Sequence, residues 1–216
     1  GGSAFTLVTL DAGVDAAAGF VPSNGVIRRE AAVAGSNTVQ FLSLDGVRTL
    51  PTPSRRASAW GPHGLVWADD TTLHFTDGGT FAVPSEPFHI GPDDFDGDGD
   101  EDLAVITSTG TQLYENTGAG FAPRVTWSTN SASQLRVVDF DQDGRPDVFW
   151  THLDGVTVRR NDGAFNFTET VVPETGGPRW PPTIGDADGD GDLDLAFPYF
   201  APDGTHTVKL WLNRVR

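Results

Sequence analysis

The sequence predicts an all-β fold made by repeating one antiparallel sheet, and three observations predict it. An aspartate run of the form D-x-D-x-D-G-x-x-D occurs at Asp94–Asp102, Asp139–Asp147 and Asp186–Asp194, with starts 45 and 47 residues apart. Each run leads into a short apolar segment rich in β-branched and aromatic residues, then a Gly or Asp-Gly turn, then a second such segment. That is the pattern of strands joined by hairpins, recurring at a period typical of repeat architectures. No segment offers a helical period.

The elements follow in order. Phe5–Leu10 is a candidate strand with no partner nearby in sequence. Ala31–Ala34 and Thr38–Ser43 form a strand pair ending in the turn Asp45-Gly46, and Leu65–Trp67 with Thr72–Phe75 repeats it, ending at Asp77-Gly78 before Phe81. After the first Asp run, Asp102–Thr107 turns at Gly110 into Gln112–Asn116, and Thr117–Gly120 turns again before Phe121. The second run gives Asp147–Trp150, Asp154-Gly155, Val156–Asn161 and Asp162-Gly163; the third gives Asp194–Phe197, Asp203-Gly204 and Val208–Asn213. The residues that end the second strand of each pair, Asp45, Asp77, Asn116, Asn161 and Asn213, are spaced by 32, 39, 45 and 52. The short steps fall where the Asp run is missing, as deletion of one connection would give.

Five such units in 216 residues form a single domain over 1–216, with degenerate units at about 25–87 and Asp-loop units at about 88–213. The fifth unit stops at Arg216, directly after its third strand, while 5–10 is unassigned. One end can therefore complete the other, which protects the edges of a radial array. The expectation is a β-propeller of five blades, each of four antiparallel strands, closed by strands from both termini.

Composition narrows the function classes. The net charge is −16, but 15 of 30 acidic residues lie in the three nine-residue runs, opposed there only by Arg145. Outside the runs, 15 acids face 13 bases. The acidity thus reports local sites, and with no basic stripe nucleic acid is not expected as a partner. There is no cysteine, and no apolar stretch approaches the ~18 residues of a membrane span. Lacking an initiating methionine and opening Gly1-Gly2-Ser3, the chain is expected to be processed or excised from a longer one.

Carboxylates at positions one, three, five and nine of a tight loop, with glycine at position six (Gly99, Gly144, Gly191), repel one another unless a cation intervenes. Ca²⁺ suits them, because it takes six to eight oxygens at about 2.3–2.6 Å in a flexible shell. An EF-hand would need Glu at position twelve and flanking helices; Val105, Trp150 and Phe197 stand there instead. Such Asp-rich loops suit compartments where Ca²⁺ is near millimolar, so an extracellular, periplasmic or cell-surface location is expected.

The strings Asp94–Val105 and Gly185–Ala196, with the turns Asn116-Thr-Gly-Ala-Gly-Phe121 and Asn161-Asp-Gly-Ala-Phe165, resemble the FG-GAP/VCBS repeat family, which includes the calcium-bearing propeller blades of integrin α-subunits, bacterial adhesion proteins and several lectins. The likeness spans residues 88 to 213. It implies a structural Ca²⁺ in each of three loops, joining the first and second strands of a blade. Its implied ligands are Asp94, Asp96, Asp98 and Asp102; Asp139, Asp141, Asp143 and Asp147; and Asp186, Asp188, Asp190 and Asp194. The position-seven carbonyls of Asp100, Arg145 and Asp192 join them.

Catalysis finds little support. The five histidines form no zinc-spaced pair, and no serine sits in a G-x-S-x-G elbow. Trp67, Trp150 and Trp211 lie in strand segments and are assigned to the core; Trp60 and Trp180, near turns, are the candidate ligand contacts. The expectation is a secreted, calcium-stabilised, non-catalytic binding module for a cell-surface protein or glycan. Its alternatives are a carbohydrate-specific lectin and a secreted hydrolase or its accessory domain.

Overall fold

In a computed structural model the chain is described as backbone strands between residues 15 and 65, and with side chains from 66 to 213 except 76–77, 129–134, 153–154, 173–182 and 199–203. Every regular element among the described residues is a β-strand. The first sheet contains β1 (Asp15–Ala18), β4 (Ala31–Ala34), β5 (Thr38–Ser43) and β6 (Gly46–Pro51), in that order. A separate hairpin of β2 (Val21–Ser23) and β3 (Val26–Arg28) lies between β1 and β4 in the chain, so the first sheet reaches upstream of residue 25.

The second sheet is a plain meander of β7 (Ser58–Gly61), β8 (Gly64–Asp69), β9 (Thr72–Phe75) and β10 (Thr80–Ala82). The third has β11 (Pro87–Asp93), β12 (Asp102–Thr107), β13 (Gly110–Asn116) and β14 (Phe121–Trp127). The fourth has β15 (Gln134–Val138), β16 (Asp147–His152), β17 (Gly155–Gly163) and β18 (Asn166–Pro173). The fifth shows three strands, β19 (Thr183–Gly185), β20 (Asp194–Phe200) and β21 (His206–Trp211). The proposed closing strand at 5–10 lies outside the described residues.

The second strand of each Asp-loop sheet is its most apolar, and β12 is buried along its whole length. Burial on both faces follows from how the sheets stack. One cluster joins Val66, Ala68 and Leu73 of the second sheet to Ile90, Leu103 and Val105 of the third. A second joins Ala104, Ile106, Leu113 and Trp127 to Leu135, Val148 and Trp150, and a third joins Phe149, Val156 and Val158 to Leu195 and Phe197. The core therefore lies between successive sheets, as in face-to-face packing of repeated blades. Trp67 and Trp150 are buried, as expected, and Trp211 packs half-buried against the third cluster.

The first strands touch in series, β1 with β7, β7 with β11, and β11 with β15. At the last of these contacts a Cβ on Gly91 would stand 2.4 Å from Val137 Cγ2 and 2.6 Å from Leu135 Cδ2, so glycine permits the close approach. This places the connections between first and second strands along one end of the array. The three Asp runs are those connections.

Candidate metal centres

Each run occupies the eight residues between a first and a second strand, and its ninth residue opens the second strand. That ninth aspartate is the anchor. Asp102, Asp147 and Asp194 have 0 %, 0 % and 1 % of their surface exposed. Their carboxylates are held by backbone amides from two directions. The position-two amides of Phe95, Phe140 and Ala187 donate to Oδ2 at 2.9, 2.8 and 2.7 Å. The amides of Asn116, Asn161 and Asn213, within two residues of the ends of the third strands, donate to Oδ1 at 2.7, 2.7 and 2.8 Å.

Position one folds the loop around itself. Asp94 Oδ1 and Oδ2 accept from Gly97 and Gly99 at 2.7 and 2.9 Å; Asp186 does the same with Gly189 and Gly191 at 2.6 and 3.2 Å. Asp139 accepts from Asp143 and Gly144 at 3.0 and 2.9 Å. This wrap needs a left-handed residue at position six, where Gly99, Gly144 and Gly191 have φ of 95°, 89° and 101°. A Cβ there would meet nothing within 4 Å, so the demand is conformational rather than steric. Position four is also left-handed, through Gly97 and Gly189, but the middle loop uses Gln142 at φ 58°.

These constraints bring the carboxylates of positions one, three and nine together. Asp94, Asp96 and Asp102 each present an oxygen within 4.8 Å of the others, as do Asp139, Asp141 and Asp147, and Asp186, Asp188 and Asp194. Two oxygens sharing one Ca²⁺ can stand up to about 5 Å apart, so each triad could hold a metal ion. The middle triad carries a specific sign of fit: Asp141 Oδ1 is buried and takes no hydrogen bond. The amides bonded to positions one and nine leave lone pairs free, since a carboxylate has about four acceptor sites.

The position-five carboxylates fall outside the triads. Asp98, Asp143 and Asp190 instead accept from the position-seven amides of Asp100, Arg145 and Asp192, at 2.9, 2.9 and 3.3 Å. Of the two candidate ligand contacts, Trp60 lies on β7 with its side chain outside the described residues, and Trp180 lies outside them altogether.

Burial without a cation is unfavourable for these acids. It pushes Asp102 and Asp147 up to about 6, against the amide bonds that hold the anion and with help from the neighbouring acids of the same loop. Asp96 and Asp188 are raised by the same cause. In the third loop, a hydrogen bond with Asp190 is the main reason that Asp192 rises to about 6.

What sequence reasoning missed is the role of the asparagines. They mark the ends of strands, but they also close the loops, and their recurrence 14 residues after Asp102 and Asp147 was the available signal. Arg145, the one base within the runs, pairs with Asp143 and donates through Nε to the Asn161 carbonyl at 2.8 Å; the cation that was missed is Arg160, whose Nε lies 3.6 Å from Asp141 Oδ2. Beside that loop, a cleft of about 320 Å³ opens between the fourth and fifth sheets, lined by Asp141, Arg160, Thr170, Trp211 and Asn213 among others.

Residues 94–150 and 139–197 each match the family described as FG-GAP-like repeat. Among solved structures, a chain of the Photorhabdus luminescens Tc holotoxin pore aligns at 17 % identity with a TM-score of 0.47, covering 96 % of this chain and 12 % of that one. The chain thus spans about an eighth of the toxin chain it matches. No curated protein matches.

Proposed function

Because residues 94–197 belong to the FG-GAP-like repeat family, we propose that the chain is a calcium-stabilised, five-bladed β-propeller acting outside the cytosol as a non-catalytic module for adhesion or surface recognition. The observation that carries the calcium reading is the threefold recurrence of one triad, each with its ninth aspartate buried and clamped by two backbone amides. A cation held there ties the start of the second strand to the loop before it and to the end of the third strand. Its role is to staple a blade, and its binding energy adds to folding free energy. Positions one, three and nine supply the protein ligands, and Ca²⁺ supplies charge neutralisation.

Recognition is then left to surfaces other than the loops. A glycan is the second reading for the ligand, favoured by the cleft between the fourth and fifth sheets. It offers an aromatic side chain, Trp211, beside the polar groups of Arg160 and Thr170. A glycan-array screen with calcium present tests it. Selective binding weakened by Arg160→Ala supports a lectin, whereas no sugar binding by folded, calcium-loaded protein leaves a protein ligand.

A further inference from the structure

The three loops are not separate in the hydrogen-bond network. Asn161 closes its own loop through its backbone amide, which donates to Asp147 Oδ1 at 2.7 Å. Its side-chain Nδ2 reaches back to the preceding loop and donates to the Phe95 carbonyl at 2.8 Å. The amide of the same residue holds Asp102 Oδ2 at 2.9 Å. One repeat later the arrangement recurs: the Asn213 amide donates to Asp194 Oδ1 at 2.8 Å, and its Nδ2 donates to the Phe140 carbonyl at 3.3 Å. The Phe140 amide in turn holds Asp147 Oδ2 at 2.8 Å.

The buried aspartates of the three triads therefore lie on one continuous chain of bonds, Asp102 to Phe95 to Asn161 to Asp147 to Phe140 to Asn213 to Asp194. Asn116 repeats the amide bond to its own loop, but the second sheet has only residues 62–63 between β7 and β8 and so no such loop for it to grip. The relay begins with the first Asp loop and runs one way along the chain. The second and third loops have an extra link, because Gln142 Nε2 donates directly to the Gly191 carbonyl.

We propose that Asn161 and Asn213 are positioning residues that couple the three metal loops, so that a cation in one loop sets the geometry of the next. The physical reason is that Phe95 or Phe140 serves both loops, through the N–H of one peptide and the C=O of the next, which meet at a single Cα. If it is fixed by a carboxylate that holds a metal, its carbonyl is fixed for the asparagine of the following blade, whose amide orients the next buried aspartate. The proposal rests on the calcium reading above.

The test is a calcium titration of the whole chain in ~0.5 M salt, where charges are screened beyond about 4 Å. Amide resonances of Gly99, Gly144 and Gly191 report each loop, since each of these amides donates to a position-one carboxylate. Weakening the first loop with Asp96→Asn should raise the calcium concentration that half-saturates Gly144 at least threefold. In an Asn161→Ser background, which keeps an acceptor for the Gly163 amide and removes the reach to Phe95 along with the weaker bond to the Pro146 carbonyl of its own loop, the same change should leave the Gly144 midpoint of that background unmoved.

An equal effect in both backgrounds, or none in either, overturns the relay while leaving calcium binding intact. The absence of any calcium response at all three glycines removes the calcium reading and the relay with it. Should Asn161→Ser fail to fold, the Asn213→Ser variant carries the test. It should reduce the response of Gly191 to a weakened second loop only in part, because Gln142 still bridges those two loops; an unchanged response overturns the relay.

Discussion

The second and third Asp loops share one backbone frame and differ in how their charge is held. In the second, Asp139–Asp147, protein cations stand beside the acids: Arg145 pairs with Asp143, and Arg160 approaches Asp141 at 3.6 Å. In the third, Asp186–Asp194, position seven is Asp192, and its closeness to Asp190, with desolvation, pushes its carboxyl up to about 6. The second loop is thus partly neutralised by arginine, whereas the third sets a further acid where that arginine stands. The comparison teaches that the metal-bearing frame is set by positions one, three, six and nine. The remaining positions decide how well the loop holds together when no cation is bound.

The largest test of this difference is calcium removal. Three sites each filled at about a hundredfold over Kd would contribute roughly 2.7 kcal/mol apiece, and a domain of this size shifts about 2–4 °C per kcal/mol. Chelation should therefore lower Tm by about 15–30 °C. Hydrogen exchange during chelation should expose the Gly189 and Gly191 amides before that of Gly144. Equal loss in all three loops would erase the distinction between them.

Asp147→Ala comes next. It removes the acceptor of two buried amides, Phe140 and Asn161, each costing about 1–3 kcal/mol when left unpaired, so denaturant unfolding should show a loss of about 2–5 kcal/mol even without calcium. Asp143→Ala, which removes an exposed position-five acid, should cost under about 1 kcal/mol. A reversal of that ranking would contradict the anchoring role of position nine.

The pH dependence has a definite sign. Asp102 and Asp147 titrate near 6 when folded and near about 3.9 when unfolded, so the folded chain holds their protons more tightly. Their stabilising contribution is fully present below about pH 4 and is lost as pH rises through about 6. Metal-free protein should melt higher at pH 5 than at pH 7.5. Calcium-loaded protein should do the opposite, because the ion needs the carboxylates ionised. Melting curves at the two pH values, with and without calcium, check both.

The smallest effect should come from exchanging the position-seven residues. Arg145→Asp should lower the Tm of the metal-free protein slightly, and Asp192→Arg should raise it, as expected for exposed charges. If both changes are silent without calcium, the arginine does not substitute for the ion.

Much of this was legible in the sequence, for a physical reason. Asp-x-Asp-x-Asp-Gly fixes a loop through local chemistry, because each carboxylate bonds amides two to seven residues away, and the apolar runs beyond it have the length and composition of strands. Hence the strand at Asp102–Thr107 and the start of the one at Asp147 follow from spacing, as do positions one, three and nine of the triads, whereas position five, expected with them, falls outside. The asparagine relay was not legible, since it spans 66 and 73 residues and depends on how neighbouring sheets stack. Nor were the hairpin at residues 21–28 and the start of the first sheet at Asp15, where alanine-rich and proline-containing strands carry no period-two signal.

The measurement that bears most directly on the three triads is the number of calcium ions bound per chain, by calorimetric titration of chelator-stripped protein at pH 7.5. We predict three, falling to two in Asp141→Ala with the fold retained. Zero bound ions, or three still bound in Asp141→Ala, would contradict the assignment of these loops as calcium sites.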